Sequence, residues 1–541
     1  MKKQDSFFLM KFDSGRLKDC NYKVKTNFQE SQKNGELIRL ADNQVLRSLR
    51  KIKGINYSQE ELIVLTKERK KIFSLPNSEE NRIRVKELSK EIEKMLFVPE
   101  IVSVKFENKA HYVAIKNRGL FINGIKYTRL LAGSGNLRRN TVFYIDTRYK
   151  SRLNQVLDNG RDLEANLVPA KFSAYYGLYN SSSLEVEFPR FAVIPDCEIE
   201  KTFTLDWVSG SGRDIVVEEK EIPVKLNLFD GQGIISPNQM SVWAENMDLS
   251  YTPSWCIVRA PYLKGNLACF DFHRFAKENG KKYLADVWGN QILVDDVEIL
   301  ISTSQFKLWQ SYKSLKDYLD NCKKNNLSFG ITRYAPSEEK EKSHTYSNYQ
   351  FTQVLDLSDE DIESFCGPTL KLVEDLSGFD YERMLLYLMG EGINQLDEHN
   401  WFDRLQDPVV KALLIEPGLK EDEYIRQRFS RGLNRFIREA YLGSTLHQGN
   451  FSAILSDPYA QCEWAFGMEP KGLLKEKQYY SNFWNKKGIN KVAACRAPLT
   501  HYSEVNILNF KNDEKTRDWY KNITSGTVLP ILGNDTMIFA D

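Results

Sequence analysis

Histidine and cysteine are scarce and scattered along this 541-residue chain. The 6 histidines form no H-x-x-x-H pair, and the 8 cysteines show no C-x-x-C spacing. Neither a zinc knuckle nor a disulfide framework is indicated. No apolar run approaches the ~18 residues that a spanning helix needs, which excludes a helical membrane protein. The only apolar stretch near the start, Phe7 to Met10, is shorter than the roughly 7 residues of a secretion signal, so a cytoplasmic location is expected. G-x-x-x-x-G-K-[ST], G-x-S-x-G and H-E-x-x-H are all missing, leaving the common phosphate-loop, hydrolase and zinc-protease chemistries without a carrier. An excess of one charge is missing too: 75 Lys and Arg stand against 73 Asp and Glu. The net charge gives no general reason to expect a polyanionic partner.

What is present points to a folded globular chain. A charged fraction of 27% beside 30 Phe and 26 Tyr is incompatible with a disordered protein. Charge is uneven, because residues 1–75 carry 17 basic and 9 acidic side chains. A solvated helical face is the plainer reading of that segment, and a polyanion contact the sharper one. Residues 1–100 read as helical, with a Ser58/Glu61 capping box and a stripe of Val85, Leu88, Ile92 and Met95. From Ile101 the apolar period becomes two, giving strands over 101–106 and 111–115 and a hairpin around Asn123-Gly124. Strand-like text continues to about residue 310. Residues 355–445 read as helical again, opened by Ser358. There Ile425, Phe429 and Phe436 share one side of a helix, and Arg426, Arg428, Arg431, Arg435 and Arg438 fill much of the rest. A surface helix is slightly favoured there over a phosphate-facing one. The strand pattern resumes after Ser456.

Three stretches could carry chemistry. NLFDGQGIISPNQM contains an Asp230-Gly231 turn, with Gly231 and Gly233 permitting a sharp backbone bend. PSWCIVRAPYLKGNLACFDF places Arg259 and Lys264 five apart, with Gly265 directly after the lysine. ISTSQFKLWQSY sets Lys307 in an otherwise apolar and hydroxyl-rich strand. A lysine withdrawn from water usually serves an anionic partner.

In order, these stretches resemble the first catalytic barrel of two-barrel RNA polymerases, the eukaryotic-type RNA-dependent enzymes of gene silencing and their single-chain phage relatives. LLAGSGNLRRNTVFYI matches a family block at Ser134, Leu137 and Arg138, and KFSAYYGLYNSSS resembles the block ending in G-x-x-x-S-S. ACRAPLTHYSEVNIL resembles the R-x-P-x-x-H segment of the second barrel through Arg496, Pro498 and His501. The likeness is collinear from about residue 130 to 541. It implies a β-rich, mixed α/β fold with a helical basic region at 1–100 and a β-rich region at 101–221. A double-psi β-barrel would follow at 222–350, a helical connector at 351–455 and an incomplete second double-psi β-barrel at 456–541.

The resemblance implies nucleotidyl transfer from NTPs along a nucleic-acid template, giving RNA product with two Mg²⁺ ions. Lys264 and Lys307 would neutralise phosphate charge, and Arg259 and Arg496 would contact substrate. His501 is either a substrate contact or a core residue pinning its loop. A DNA template is expected, and the abundant Lys, Asn and Tyr suggest an AT-rich genome and a bacterial host cell. An RNA template and a non-catalytic nucleic-acid-binding half of a split enzyme stay open. Asp541 resembles the first carboxylate of the family's metal triad, and Asp535 reads as structural. The remaining triad carboxylates would come from a continuation of the gene or a second chain. The 541 residues alone are therefore expected to incorporate no labelled nucleotide on a primed template in Mg²⁺ or Mn²⁺. Activity should appear when the downstream segment is supplied, and robust Mg²⁺-dependent synthesis without it would remove Asp541 from the metal site.

Overall fold

The computed structural model describes residues 6–55, 59–76, 78–162, 168–389, 407–499 and 501–531. The fold is mixed α/β and rich in strands. It divides into two compact units, one built from the residues up to 337 with 455–473 and 513–531, the other from 338–454 and 474–512.

The first unit holds two seven-stranded sheets. The first sheet uses β1 (Ser6–Asp13), β2 (Lys23–Val24), β3 (Leu37–Ala41), β4 (Phe97–Lys105), β5 (Leu120–Ile122), β6 (Ile125–Leu131) and β7 (Thr141–Asp146), in the order β2-β5-β6-β7-β4-β1-β3. Asn123 and Gly124 take positive φ between β5 and β6, the hairpin expected there. The first residues depart from a helical reading. β1 lies between β3 and β4, with Phe7 and Leu9 in one core and Met10 and Phe12 in another. A strand buried on both faces shows a continuous apolar run with no alternation to detect. Helical text does hold for Gln59–Phe73 and Glu79–Leu96. The Ser58 cap lies outside the described residues. Residues 111–115 are not a strand but part of the helix Lys109–Arg118. The Asn108 side chain accepts from the His111 amide there, and this cap outweighs a short alternation in which only Ile115 is buried.

The second sheet joins β8 (Leu184–Val186), β9 (Phe191–Ile194), β12 (Gln232–Ile235), β13 (Trp255–Ala260), β14 (Leu263–Cys269), β17 (Ile299–Ser302) and β18 (Phe329–Tyr334), in the order β8-β18-β13-β14-β12-β17-β9. Between them, β10 (Glu198–Ser209) and β11 (Val216–Asn227) form a separate exposed ribbon, and β15 (Tyr283–Ala285) and β16 (Gln291–Leu293) a small hairpin. All of β12 and β17 is buried, and β12 runs parallel to β14 and antiparallel to β17. The sheets share one core, in which Leu9, Ile145, Val193, Trp243, Val258 and Phe329 all take part. Arg47, only 6% exposed, ties them together. It donates to Asp42 Oδ2 at 2.6 Å, to Ser328 Oγ at 3.0 Å and to the Ser183 carbonyl.

Residues 455–473 and 513–531 belong to this unit, although the chain between them belongs to the other. β21 (Ile454–Ser456) pairs with β25 (Thr527–Leu529). Gln232 Nε2 donates to the Ser456 carbonyl at 2.8 Å, Gln461 Nε2 donates to the Gln232 carbonyl at 2.9 Å, and the Ser456 amide donates to Gln232 Oε1 at 2.9 Å. Asp457 is fully buried at the start of the helix Pro458–Ala465. Its carboxylate accepts from the amides of Tyr459, Ala460 and Leu473 and from the Tyr520 hydroxyl. Burial pushes its pKa up, against the pull of those four donors.

In the second unit, β19 (His344–Tyr346) pairs with β20 (Leu446–Gln448), and β22 (Gln478–Tyr479), β23 (Lys491–Ala494) and β24 (Asn506–Phe510) form a three-stranded sheet. The helices Asp359–Ser377, Tyr381–Leu388, Pro408–Ile415 and Glu423–Tyr441 pack around Leu376, Met384, Leu413 and Phe429. Ser358 and Asp361 form a reciprocal capping box. On the arginine-rich helix, Arg426 pairs with Glu421, Arg428 with Asp407 and Arg435 with Glu439, the pattern of a solvated face.

Asp457→Ala removes an acceptor from buried donors on three chain segments. It should lower stability by about 3 kcal/mol or more in urea unfolding, with Asp457→Asn losing less because it keeps one acceptor oxygen. A loss below about 1 kcal/mol would show that water reaches those donors.

Candidate active site

The site is built on the β13–β14 hairpin. Register places Arg259 on β13 directly opposite Lys264 on β14, and Pro261-Tyr262 forms the turn between them. Tyr262 takes φ +56, rare for an aromatic residue. Its ring is 1% exposed, and its hydroxyl donates to the Leu157 carbonyl at 3.0 Å. Burial of the ring therefore holds the turn in a conformation the backbone alone would avoid.

The third stretch docks on the end of this hairpin. The Lys264 amide donates to the Gln305 carbonyl at 3.0 Å, Leu263 bridges Phe306, and the Lys307 amide donates to the Tyr262 carbonyl at 2.9 Å. Lys307 thus sits on a turn that follows β17, not within a strand as its sequence context suggests. Residues that pair in this way place Lys264 and Lys307 on one side of the hairpin end.

Gln305 fixes the spacing. It is fully buried, receives the Ser302 amide on Oε1 at 3.0 Å and donates through Nε2 to the Asn266 carbonyl at 2.8 Å. The glycines of two motifs make room for it. A Cβ on Gly233 would stand 2.5 Å from Gln305 Oε1, and one on Gly265 would stand 2.2 Å from Nε2. Gly231, at φ +68, donates its amide to Ser304 Oγ at 2.9 Å, closing the Asp230 turn onto the same loop.

The electrostatics are those of a crowded cationic site. Partial burial pushes the Lys264 ammonium below the ordinary lysine value, and the charges of Lys307 and Arg259 push it further. Asp230, exposed on its turn, opposes them. Burial also lowers the pKa of Arg259. Arg259 Nη1 donates to the Val258 carbonyl at 2.7 Å, while its buried Nε has no partner among the described residues. Asn266 Oδ1, two residues along β14 from Lys264, is likewise buried and unpartnered. Three cations around one carboxylate can hold a polyanion such as a phosphate chain.

The two earlier blocks meet in the same unit. A Cβ on Gly177 would lie 2.8 Å from Gly133 Cα, so the Leu130–Ile145 and Lys171–Ser183 segments touch backbone to backbone. Arg496 and His501 belong to the second unit, Arg496 half-buried just after β23 and His501 exposed. Exposure removes the core-histidine reading of His501. Asp541 and Asp535 lie outside the described residues. Among the described residues no group of three or more His, Cys, Asp or Glu is arranged to hold a metal ion. Sequence reasoning missed Gln305, Gln232 and Gln461. The two glycines flanking the Gln305 side chain were the only available signal.

No family model matches the chain. Over 430 residues, 77% of its length, it is 26% identical to the DNA-directed RNA polymerase YonO of Bacillus phage SPbeta. The chain spans about half the length of that curated relative, 47%. Among solved structures it is similar to the RNA-dependent RNA polymerase QDE-1 from Thielavia terrestris, with a TM-score of 0.48 and 14% identity. That likeness covers 80% of this chain and 46% of the other.

Competitive acetylation of the native protein, followed by peptide mass spectrometry across pH 7–11, should give Lys264 a midpoint below that of the exposed surface lysines. Lys307→Ala should raise that midpoint and Asp230→Asn should lower it. A midpoint that moves with neither would show that these charges do not act on Lys264.

Proposed function

We propose that this chain supplies the first catalytic barrel and flanking regions of a DNA-templated RNA polymerase. The observation that carries the reading is the convergence of Arg259, Lys264 and Lys307 at the end of one hairpin, on segments whose order follows the family blocks. Similarity to a phage DNA-directed RNA polymerase favours DNA as template.

In this reading the cations act on the triphosphate of the incoming nucleotide. Lys264 and Lys307 repel each other while the site is empty, and an anion between them relieves that repulsion. Arg259 adds a fixed, planar donor whose Nε is already stripped of water. Charge that grows on phosphoryl oxygens in the transition state then meets donors that need no reorganisation. Arg496 and His501 are assigned to substrate contact on the second unit. The transfer itself requires two Mg²⁺ ions, for which the described residues offer no carboxylate cluster. In this reading Arg259, Lys264 and Lys307 bind, orient and neutralise phosphate.

Two measurements test this. A fluorescent NTP analogue should bind the chain without added metal, and Lys264→Ala or Lys307→Ala should weaken that binding about tenfold. With the downstream segment supplied, the same substitutions should lower incorporation roughly 10²–10³-fold on a DNA template, a loss typical of removing one preorganised donor. Unchanged binding and incorporation would remove both lysines from the site. Preference for an RNA template would favour the silencing-type reading.

A further inference from the structure

We propose that the tip of the helical hairpin Gln59–Phe73/Glu79–Leu96 is a binding surface for single-stranded nucleic acid, with lysines on backbone phosphates and Phe73 stacked on a base. The inference rests on the hairpin itself and does not depend on the cation cluster around Lys264.

Leu88 and Ile92 of the second helix are buried, whereas Ile63, Val64 and Ile83 are about half exposed; Phe73, next to the turn, is the most exposed apolar side chain of the hairpin among the described residues, at 79%. Each helix rises about 1.5 Å per residue, so 15 residues span roughly 22 Å. The connection between the helices is tied down. The Ser74 amide donates to the Lys70 carbonyl, the Leu75 amide to the Ile72 carbonyl, and Asn81 Nδ2 reaches back to the Pro76 carbonyl at 2.8 Å. Ser78 caps the second helix through the Asn81 amide. Phe73 is therefore presented in water at the end of the first helix, beside a hydrogen-bonded turn, with its flat face open to a stacking partner.

Charge identifies the occupant. From Lys67 to Lys86 the sequence carries seven basic residues and three acidic ones, although the whole chain is nearly neutral. Arg84 is engaged by Glu68 and Glu87. Lys67, Arg69, Lys70, Lys71 and Lys86 have no carboxylate within ion-pair distance among the described residues. Glu79 and Glu80, in the first turn of the second helix, are the opposing charges. Cations interleaved with an exposed aromatic ring are what single strands require, since phosphates line the backbone and every unstacked base offers a flat face. An apolar protein partner would give no reason for the lysines, and a uniform duplex would give no place for the ring.

The test uses the 541-residue chain and fluorescein-labelled 20-mers of single-stranded DNA, single-stranded RNA and duplex DNA, read by anisotropy from 50 to 300 mM NaCl. The parent should bind single strands with a salt-dependent affinity. Lys67→Gln/Lys70→Gln/Lys71→Gln should flatten the log–log salt slope by about 2, near 0.7 per phosphate released. Phe73→Ala should weaken single-strand binding roughly fivefold or more while leaving the slope unchanged, and Phe73→Trp should restore it. Equal loss on DNA and RNA would show sugar-independent recognition; a larger loss on one would assign the surface to that strand. All four side chains lie at or near the solvent-facing tip, so thermal melting should stay within about 2 °C of the parent. The proposal fails if the triple substitution leaves slope and affinity unchanged, if Phe73→Ala has no effect, or if the parent binds no single strand. Binding lost only in Lys264→Ala/Lys307→Ala would move the strand to the cation cluster and also overturn it.

Discussion

The buried amide of Gln305 sets the spacing on which the cationic site depends. Its two ends are satisfied by main-chain groups on either side, one before β17's turn and one on β14. It reaches them only because two facing residues have no Cβ. The glycines of D-G-Q-G and K-G are thus less hinges than the walls of a slot. The slot locks residues 305–307 onto the hairpin end and so brings two lysines from distant segments together. Any side chain at either glycine would have to displace an amide that bonds both the Ser302 amide and the Asn266 carbonyl, a cost that falls on the lysines' positions.

Charge and stability oppose one another at this site. Lys264, Lys307 and Arg259 share one region with a single exposed carboxylate, Asp230, among the groups that act on Lys264. A donor on Arg259 and an acceptor on Asn266 are buried without partners. Each of these features costs folding free energy, and each is the kind of strain retained where a ligand completes the arrangement. The surface charges of the arginine-rich helix show the contrast. There most cations already have a carboxylate or an amide beside them, and the helix needs nothing further.

Much of this was legible in local text. The β13–β14 hairpin, the Asp230-Gly231 turn and the Asn123-Gly124 turn are short-range features, and their residue types report backbone requirements directly. Lys264 and Arg259 face each other because a two-residue turn leaves no other register. What escaped was long-range or masked by other signals. β1 hid because a strand covered on both faces has no polar alternation. His111 to Ile115 alternates as a strand would, yet Asn108 starts a helix before it. Gln305 lies inside a quoted motif but has a role only through Gly233 and Gly265, 72 and 40 positions away in the sequence. Arg496 and His501 were found by motif and fall on the second unit; Asp541 lies outside the described residues.

The exchange between Gln232 and the segment around Ser456 has a consequence for how the chain is made. Gln232 opens a fully buried strand, and the groups that satisfy its amide follow 224 and 229 residues later. Synthesis at about 5–20 residues per second leaves a gap of roughly ten to fifty seconds between the strand and its partners. During that time β12 can pair with β14 and β17, but its glutamine faces water or a provisional neighbour. Completion of this unit therefore waits for most of the chain to leave the ribosome. The helices Asp359–Ser377, Tyr381–Leu388, Pro408–Ile415 and Glu423–Tyr441 and the core they share are all synthesised in the interval between Gln232 and those partners.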